Sequence, residues 1–118
     1  MSELLVDRVG HVAQITFNRP DQMNTITGTM LAAFADAIVE ADADPEVRAI
    51  VITGKGRAFC AGLDVKSEAS GNGLGVGGGA PTKFDLREAP PIVLHNADTP
   101  TLCALNGGAA GYGLDLAL

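Results

Sequence analysis

Basic residues are scarce in this 118-residue chain: Lys and Arg total 8 against 14 Asp and Glu, for a formal net charge of −6 at pH 7. The acidic residues are spread along the chain, which argues against nucleic acid or an anionic membrane surface as the main partner. No apolar run approaches the roughly 20 residues that a membrane-spanning helix needs. The opening MSELLVDRVG carries acidic residues and no long apolar core, so no secretory signal is expected. Cysteine is limited to Cys60 and Cys103, both in apolar surroundings. In a chain without an export signal they read as reduced, packed thiols rather than a disulfide. No Cys/His spacing of the zinc-binding kind occurs, and His11 and His95 read as surface or packing residues, since a metal needs convergent ligands. The chain is 47% apolar and 19% charged, which suits one folded α/β domain, expected in the cytoplasm.

The local pattern supplies the elements. Residues 4–9 and 12–17 read as the two strands of a hairpin turned at Gly10 and His11, with β-branched and aromatic residues in VAQITF. Pro20 ends the hairpin, because proline cannot donate to a sheet ladder. From Thr29 to about Ala43, Met30, Ala33, Phe34, Ala37, Ile38 and Ala41 recur at spacings of three and four, the stripe of an amphipathic helix. Thr27 or Thr29 is its cap and Pro45 its stop. RAIVIT, 48–53, is a near-continuous apolar run of the kind buried on both faces of a sheet, and TLCALN, 101–106, reads as another buried strand. Between them, KFDLREAPPIVLHNADTP holds short helical pieces broken by Pro90 and Pro91. GNGLGVGGG, 71–79, has six glycines in nine positions and is expected to be a mobile surface excursion. It contains a formal G-x-G-x-x-G at Gly73, Gly75 and Gly78, but no strand precedes it and no helix follows directly. A nucleotide-binding module built on that tract is therefore disfavoured.

Two stretches follow a strand and lead towards a helix: GKGRAFCAGLD, 54–64, and NGGAAGYGLDLAL, 106–118. Loops are usually polar, and these are built from glycine, alanine and apolar residues. Small residues let another chain or a ligand approach the backbone, and a helix start leaves N–H groups unpaired. Side by side, two such junctions would aim two N–H groups at one oxygen, the arrangement of an oxyanion hole. On composition alone the plainer reading, two tight turns of a parallel sheet, is the favoured one, since such turns are common there.

ITFNRPDQMNTIT, IVITGKGRAFCAGLDV and NGGAAGYGLDLAL, in that order, resemble the N-terminal part of the enoyl-CoA hydratase/isomerase (crotonase) superfamily, with the glycine tract as a variable interruption. The resemblance implies an α/β fold, the first turns of the crotonase-like β-β-α spiral, over residues 1–118. It implies oxyanion donors at the N–H groups of Leu63 and Tyr112. Family members often have glycine at the second position, and tyrosine offers the same N–H. Substrate contacts are implied at Met23 and Asn24 on the pantetheine or nucleotide side and around Ala61 and Val65 for the adenine. Asp64 falls among these positions, although a structural role at a helix start is the favoured reading of it. Lys55 and Arg57 are either phosphate partners or plain solvated charges.

Asp115 is implied as the acid–base carboxylate. A carboxylate in an apolar site has a raised proton affinity, as proton transfer near neutral pH requires. On residue type alone it serves equally as a negative charge favoured in the first turn of a helix. The second carboxylate of family hydratases lies some twenty residues further on. The final helix, ending LDLAL without a cap, is expected to continue past Leu118. The implied activity is hydration or isomerisation of an enoyl-CoA thioester, with coenzyme A as part of the substrate and no other cofactor. The implied assembly is a homotrimer or hexamer. The alternative is a non-enzymatic fragment that only binds acyl-CoA or acts as an assembly module.

Overall fold

The computed structural model describes residues 3–62, 93–94 and 96–117. Residues 63–92, which include the glycine tract 71–79 and the stretch with Pro90 and Pro91, and His95 lie outside the described residues. Strand β1 (Leu4–Val9) and strand β2 (Val12–Phe17) form the expected hairpin, antiparallel from Leu4↔Phe17 to Val9↔Val12. A 3-10 turn at Pro20–Gln22 then leads to helix α1 (Gly28–Ala43). Of the two candidate caps, Thr27 is the one used: its Oγ1 accepts from the Met30 N–H at 3.1 Å. The buried face of α1 is Met30, Leu31, Phe34, Ala37, Ile38 and Ala41. Asp44 turns extended ahead of Pro45, because a residue before proline is pushed out of the helical region.

Strand β3 (Ala49–Gly54) lies parallel to β2, in register from Val12↔Ala49 to Phe17↔Gly54. Such a pairing needs a crossover, and α1 supplies it. Strand β5 (Thr101–Cys103) runs parallel to β3, so the sheet order is β1-β2-β3-β5. Strand β4 (Ala58–Cys60) and strand β6 (Gly108–Ala109) pair in parallel as a second, two-stranded sheet. Helix α2 (Tyr112–Ala117) follows β6.

Two strand expectations need correction. β3 is not buried on both faces: Ile50 and Ile52 are buried while Ala49, Val51 and Thr53 are part-exposed, because α1 covers one face among the described residues. The run 101–106 is not a long buried strand either. β5 is three residues on the sheet edge, with Leu102 and Leu105 both more than half exposed.

The core lies where α1 meets the first sheet. Ala13, Ile15 and Phe17 of β2 and Ile50 and Ile52 of β3 face the buried stripe of α1. Phe17 joins this layer to the second sheet, stacking on Phe34 with centroids 5.5 Å apart and meeting the edge of Phe59 at the same separation. Such contacts add to the area the rings bury. At the far end of α1, the Asp42 Oδ1 accepts from the Asp98 N–H (3.1 Å), the Thr99 N–H (2.9 Å) and the Thr99 Oγ1 (2.8 Å). This ties the helix to the segment that enters β5.

The Thr99 hydroxyl and then its N–H hold the Asp42 carboxyl below its ordinary value of 3.8. A lowered folded-state pKa stabilises the fold above the unfolded value, and that stability is lost as pH falls through the folded one. Asp42→Asn is therefore expected to lower stability by about 1 kcal/mol near neutral pH. The gap from the parent should stay constant above about pH 5 and shrink below about pH 4, as read in urea titrations across that range.

Candidate functional site

The site candidate is the place where the two glycine-rich junctions meet. After β3, the chain turns through Lys55, Gly56 and Arg57 into β4, then runs on to Ala61 and Gly62. After β5, it passes Asn106 and Gly107 into β6, then Ala110 and Gly111 lead to α2. β4 and β6 place these segments side by side, with Ala58 opposite Gly108 and Cys60 opposite Ala109. The Ala110 N–H donates to the Cys60 carbonyl at 3.1 Å. Gly113 sits against the same carbonyl so closely that a Cβ there would overlap the Cys60 carbonyl oxygen. The start of α2 is thus fixed against the end of β4 by backbone touching backbone. That is why glycine stands at 113, and at 107, where a Cβ would overlap the Arg57 carbonyl.

The first junction is held from a third segment as well. Met23 and Asn24 both adopt the left-handed conformation at φ 55°, which turns the chain after the 3-10 turn towards β4. The Ala61 N–H donates to the Met23 carbonyl (3.1 Å), and the Ile26 N–H donates to the Gly62 carbonyl (2.7 Å). The Arg57 Nε donates to the Met23 Sδ at 3.2 Å.

Of the implied substrate contacts, Met23 and Ala61 are therefore neighbours, with Ala61 exposed. Asn24 is different: it is fully buried and its amide is engaged inside the protein. Its Oδ1 accepts from the Arg19 N–H (2.8 Å), and its Nδ2 donates to the Lys55 (3.0 Å) and Ala58 (2.8 Å) carbonyls. Leu63, Asp64 and Val65 lie outside the described residues. Tyr112 and Asp115 fall in α2, Tyr112 as its first residue and Asp115 three positions on. Lys55 and Arg57 are exposed on the turn between the two sheets.

Asn106 is the residue that reading the sequence missed. Its Nδ2 donates to the Gly56 (2.9 Å) and Ala58 (3.1 Å) carbonyls, and its Oδ1 accepts from the Gly54 N–H (3.1 Å). A side chain of the second junction thereby holds the first. The only sequence signal was its place between a strand and two glycines.

Cys60 is fully buried and Cys103 part-buried, both as free thiols, and burial pushes both thiol pKa values up. His11 lies on the surface, its Nδ1 2.9 Å from the Glu46 carbonyl. Among the described residues no group of three or more His, Cys, Asp or Glu is arranged to hold a metal, and no helix there is long and apolar enough to cross a membrane.

The geometry defines an α/β protein whose candidate site is made of backbone at the ends of paired parallel strands. The chain belongs to the enoyl-CoA hydratase/isomerase family, whose pattern matches residues 7–118. It is 44% identical over 115 residues to a probable enoyl-CoA hydratase, EchA14, of Mycobacterium tuberculosis, an alignment that takes in 98% of this chain and 43% of that protein. It is 32% identical to the 1,2-epoxyphenylacetyl-CoA isomerase of Escherichia coli, over all of this chain and 45% of that protein. The crystal structure of a carnitinyl-CoA hydratase from Mycobacterium avium superposes with a TM-score of 0.79 at 41% identity, covering 97% of this chain and 42% of that one. The fold is accordingly crotonase-like α/β, and the chain spans less than half the length of these relatives.

Replacing Gly113 with alanine would ordinarily favour a helix by up to about 1 kcal/mol. Here the contact with the Cys60 carbonyl reverses the sign, and Gly113→Ala is expected to destabilise the chain by about 1–3 kcal/mol in denaturant titration. Thiol counting is expected to give two free thiols after unfolding. In the folded chain, Cys60 should resist iodoacetamide at neutral pH, since burial both shields it and keeps it protonated.

Proposed function

We propose that the protein carrying this chain binds an enoyl-CoA thioester, stabilises its enolate between two backbone N–H groups, and hydrates or isomerises the double bond. The donors in this reading are the amides of Leu63 and Tyr112, and the proton carrier is Asp115. What supports it above all is the β4–β6 pairing, which sets the two glycine-rich strand ends beside each other. The relatives' names point the same way, since each of the three acts on a coenzyme A thioester.

The chemistry follows from charge. Moving a proton at the carbon next to a thioester, or adding water across the adjacent double bond, places negative charge on the carbonyl oxygen. Two fixed N–H donors aimed at that oxygen are already oriented when the charge appears, so no reorganisation opposes it. Tyr112 begins α2, where amides have no partner within the helix and the helix dipole favours a negative neighbour. Asp115, one turn on, would take a proton from the substrate and return it. Met23, Asn24, Ala61, Asp64 and Val65 are the positions assigned to the coenzyme A portion. For Asn24, whose side chain is buried and bonded, that role would fall to its backbone. The reaction needs no cofactor besides the coenzyme A already in the substrate. The resemblance implies fatty-acid chemistry and a homotrimer or hexamer, and the expectation of a cytoplasmic setting comes from the composition.

The test is turnover of a short 2-enoyl-CoA, followed by loss of the conjugated thioester's absorbance, in the parent and in Asp115→Asn. Asp115→Asn is expected to lower kcat by about 10²-fold or more. Unchanged turnover would remove Asp115 from the mechanism. A parent protein that binds acyl-CoA in calorimetry without turning it over would favour the binding or assembly alternative.

A further inference from the structure

We propose that Asn106 is a positioning residue that holds the turn ahead of β4 against the segment leading to the Tyr112 donor; the inference rests on the functional reading above. Three observations carry it. First, its amide reaches across to the other junction's backbone: it accepts from the Gly54 N–H and donates to the Gly56 and Ala58 carbonyls, all within 3.1 Å, and its Oδ1 also accepts from the Thr53 hydroxyl at 3.5 Å. Second, these contacts fix the turn from which β4 starts, and β4 carries the chain through Cys60, Ala61 and Gly62 to Leu63. Third, Asn106 itself lies six residues before Tyr112, at the start of the segment that delivers the second donor. One side chain thus couples the two strand ends, and among the described residues its hydrogen bonds go to Thr53, Gly54, Gly56 and Ala58, none of them assigned to the substrate.

Asn24 grips the same Ala58 carbonyl from the fully buried side. Its removal would strand buried polar groups and threaten the fold. The Asn106 side chain is itself exposed and the Ala58 carbonyl keeps its bond from Asn24, so the loss of Asn106 threatens the fold less and leaves the turn loosely placed against the segment leading to Tyr112. A misplacement of about 1 Å in a catalytic geometry costs about 10²-fold in rate, with little effect on binding made elsewhere.

The experiment uses the full-length protein, with Asn106→Ala and the milder Asn106→Ser, whose hydroxyl can still donate once. Two quantities are read: the kcat and KM for a 2-enoyl-CoA, and the infrared carbonyl stretch of a bound, carbonyl-13C-labelled acyl-CoA. In the parent, paired donors should shift that stretch to lower frequency than in water. Asn106→Ala is expected to lower kcat by about 10²-fold while KM moves less than about threefold, and to return the carbonyl band towards its frequency in water. Asn106→Ser should fall between parent and Ala. A band and kcat unchanged in both folded variants, with the parent's band displaced, would overturn the positioning role alone. A lower yield of folded protein with normal kcat per folded molecule would also overturn it, leaving Asn106 purely structural. A parent band that is not displaced from water would overturn the oxyanion reading, and this inference with it.

Discussion

The carbonyl of Ala58 is the point on which the geometry of the site depends. It is buried, and the chain around it doubles back from one sheet to the other within a few residues. A buried carbonyl without a partner costs about 1–3 kcal/mol, so a turn of this kind needs donors brought to it. Two side-chain amides supply them, from Asn24 at 2.8 Å and from Asn106 at 3.1 Å. Each Nδ2 also reaches a second carbonyl of the same turn, Lys55 or Gly56. The turn is therefore polar inside, through its own backbone and two asparagines, with Lys55 and Arg57 on its exposed side. Gly54 belongs to the same arrangement, since a Cβ there would crowd the Ala58 and Phe59 carbonyls and the Asn24 amide. A glycine-rich stretch of sequence turns out to be a turn packed by backbone.

The sequence showed those parts of the fold that carry a period. The hairpin, α1 and its cap, and the position of β3 all follow from alternation, three-and-four spacing, a threonine and two prolines. β4 and β6 escaped notice because strands of three and two residues are too short to show any period. Their partner choice is fixed by close approach at glycines, a contact that needs the other segment to be visible. The apolar runs at 48–53 and 101–106 misled for a related reason. Hydrophobicity reports what a strand can bury, whereas burial depends on which faces have neighbours. As for the site, Leu63, Tyr112 and Asp115 were readable only through the resemblance. Asn24 and Asn106 are single polar residues in loops, and nothing local distinguishes an amide that holds a turn from one that faces water.

The clamp is braced at a distance. Asp42 on α1 gathers three donors from Asp98 and Thr99. Directly after them the Ile50 N–H donates to the Pro100 carbonyl at 2.9 Å, and beyond β5 the Ala104 N–H donates to the Ile52 carbonyl at 2.8 Å. β5 is thus short in strand terms, yet bonds at both ends hold it along β3. The Thr53 hydroxyl adds a donor to the Ala104 carbonyl at 2.8 Å, two residues before Asn106. A continuous path of hydrogen bonds therefore runs from the end of the main helix, along the sheet edge, to the amide that grips the turn.

A site assembled in this way separates two properties that side-chain sites combine. In the proposed reading the donors are backbone amides, positioned by glycines, by strand pairing and by two asparagine side chains whose amides bond to backbone. The side chains at the donor positions are then free to vary without removing a donor. They change the space around the bound group instead. Tyr112 illustrates this, standing where the family resemblance commonly has glycine. In the proposed reading its N–H would serve as a donor just as a glycine's would, while a tyrosine side chain carries volume that glycine lacks. The residues that fix the backbone would then decide whether charge on a carbonyl oxygen can be met at all. The residues at the donor positions would decide which acyl groups fit beside it.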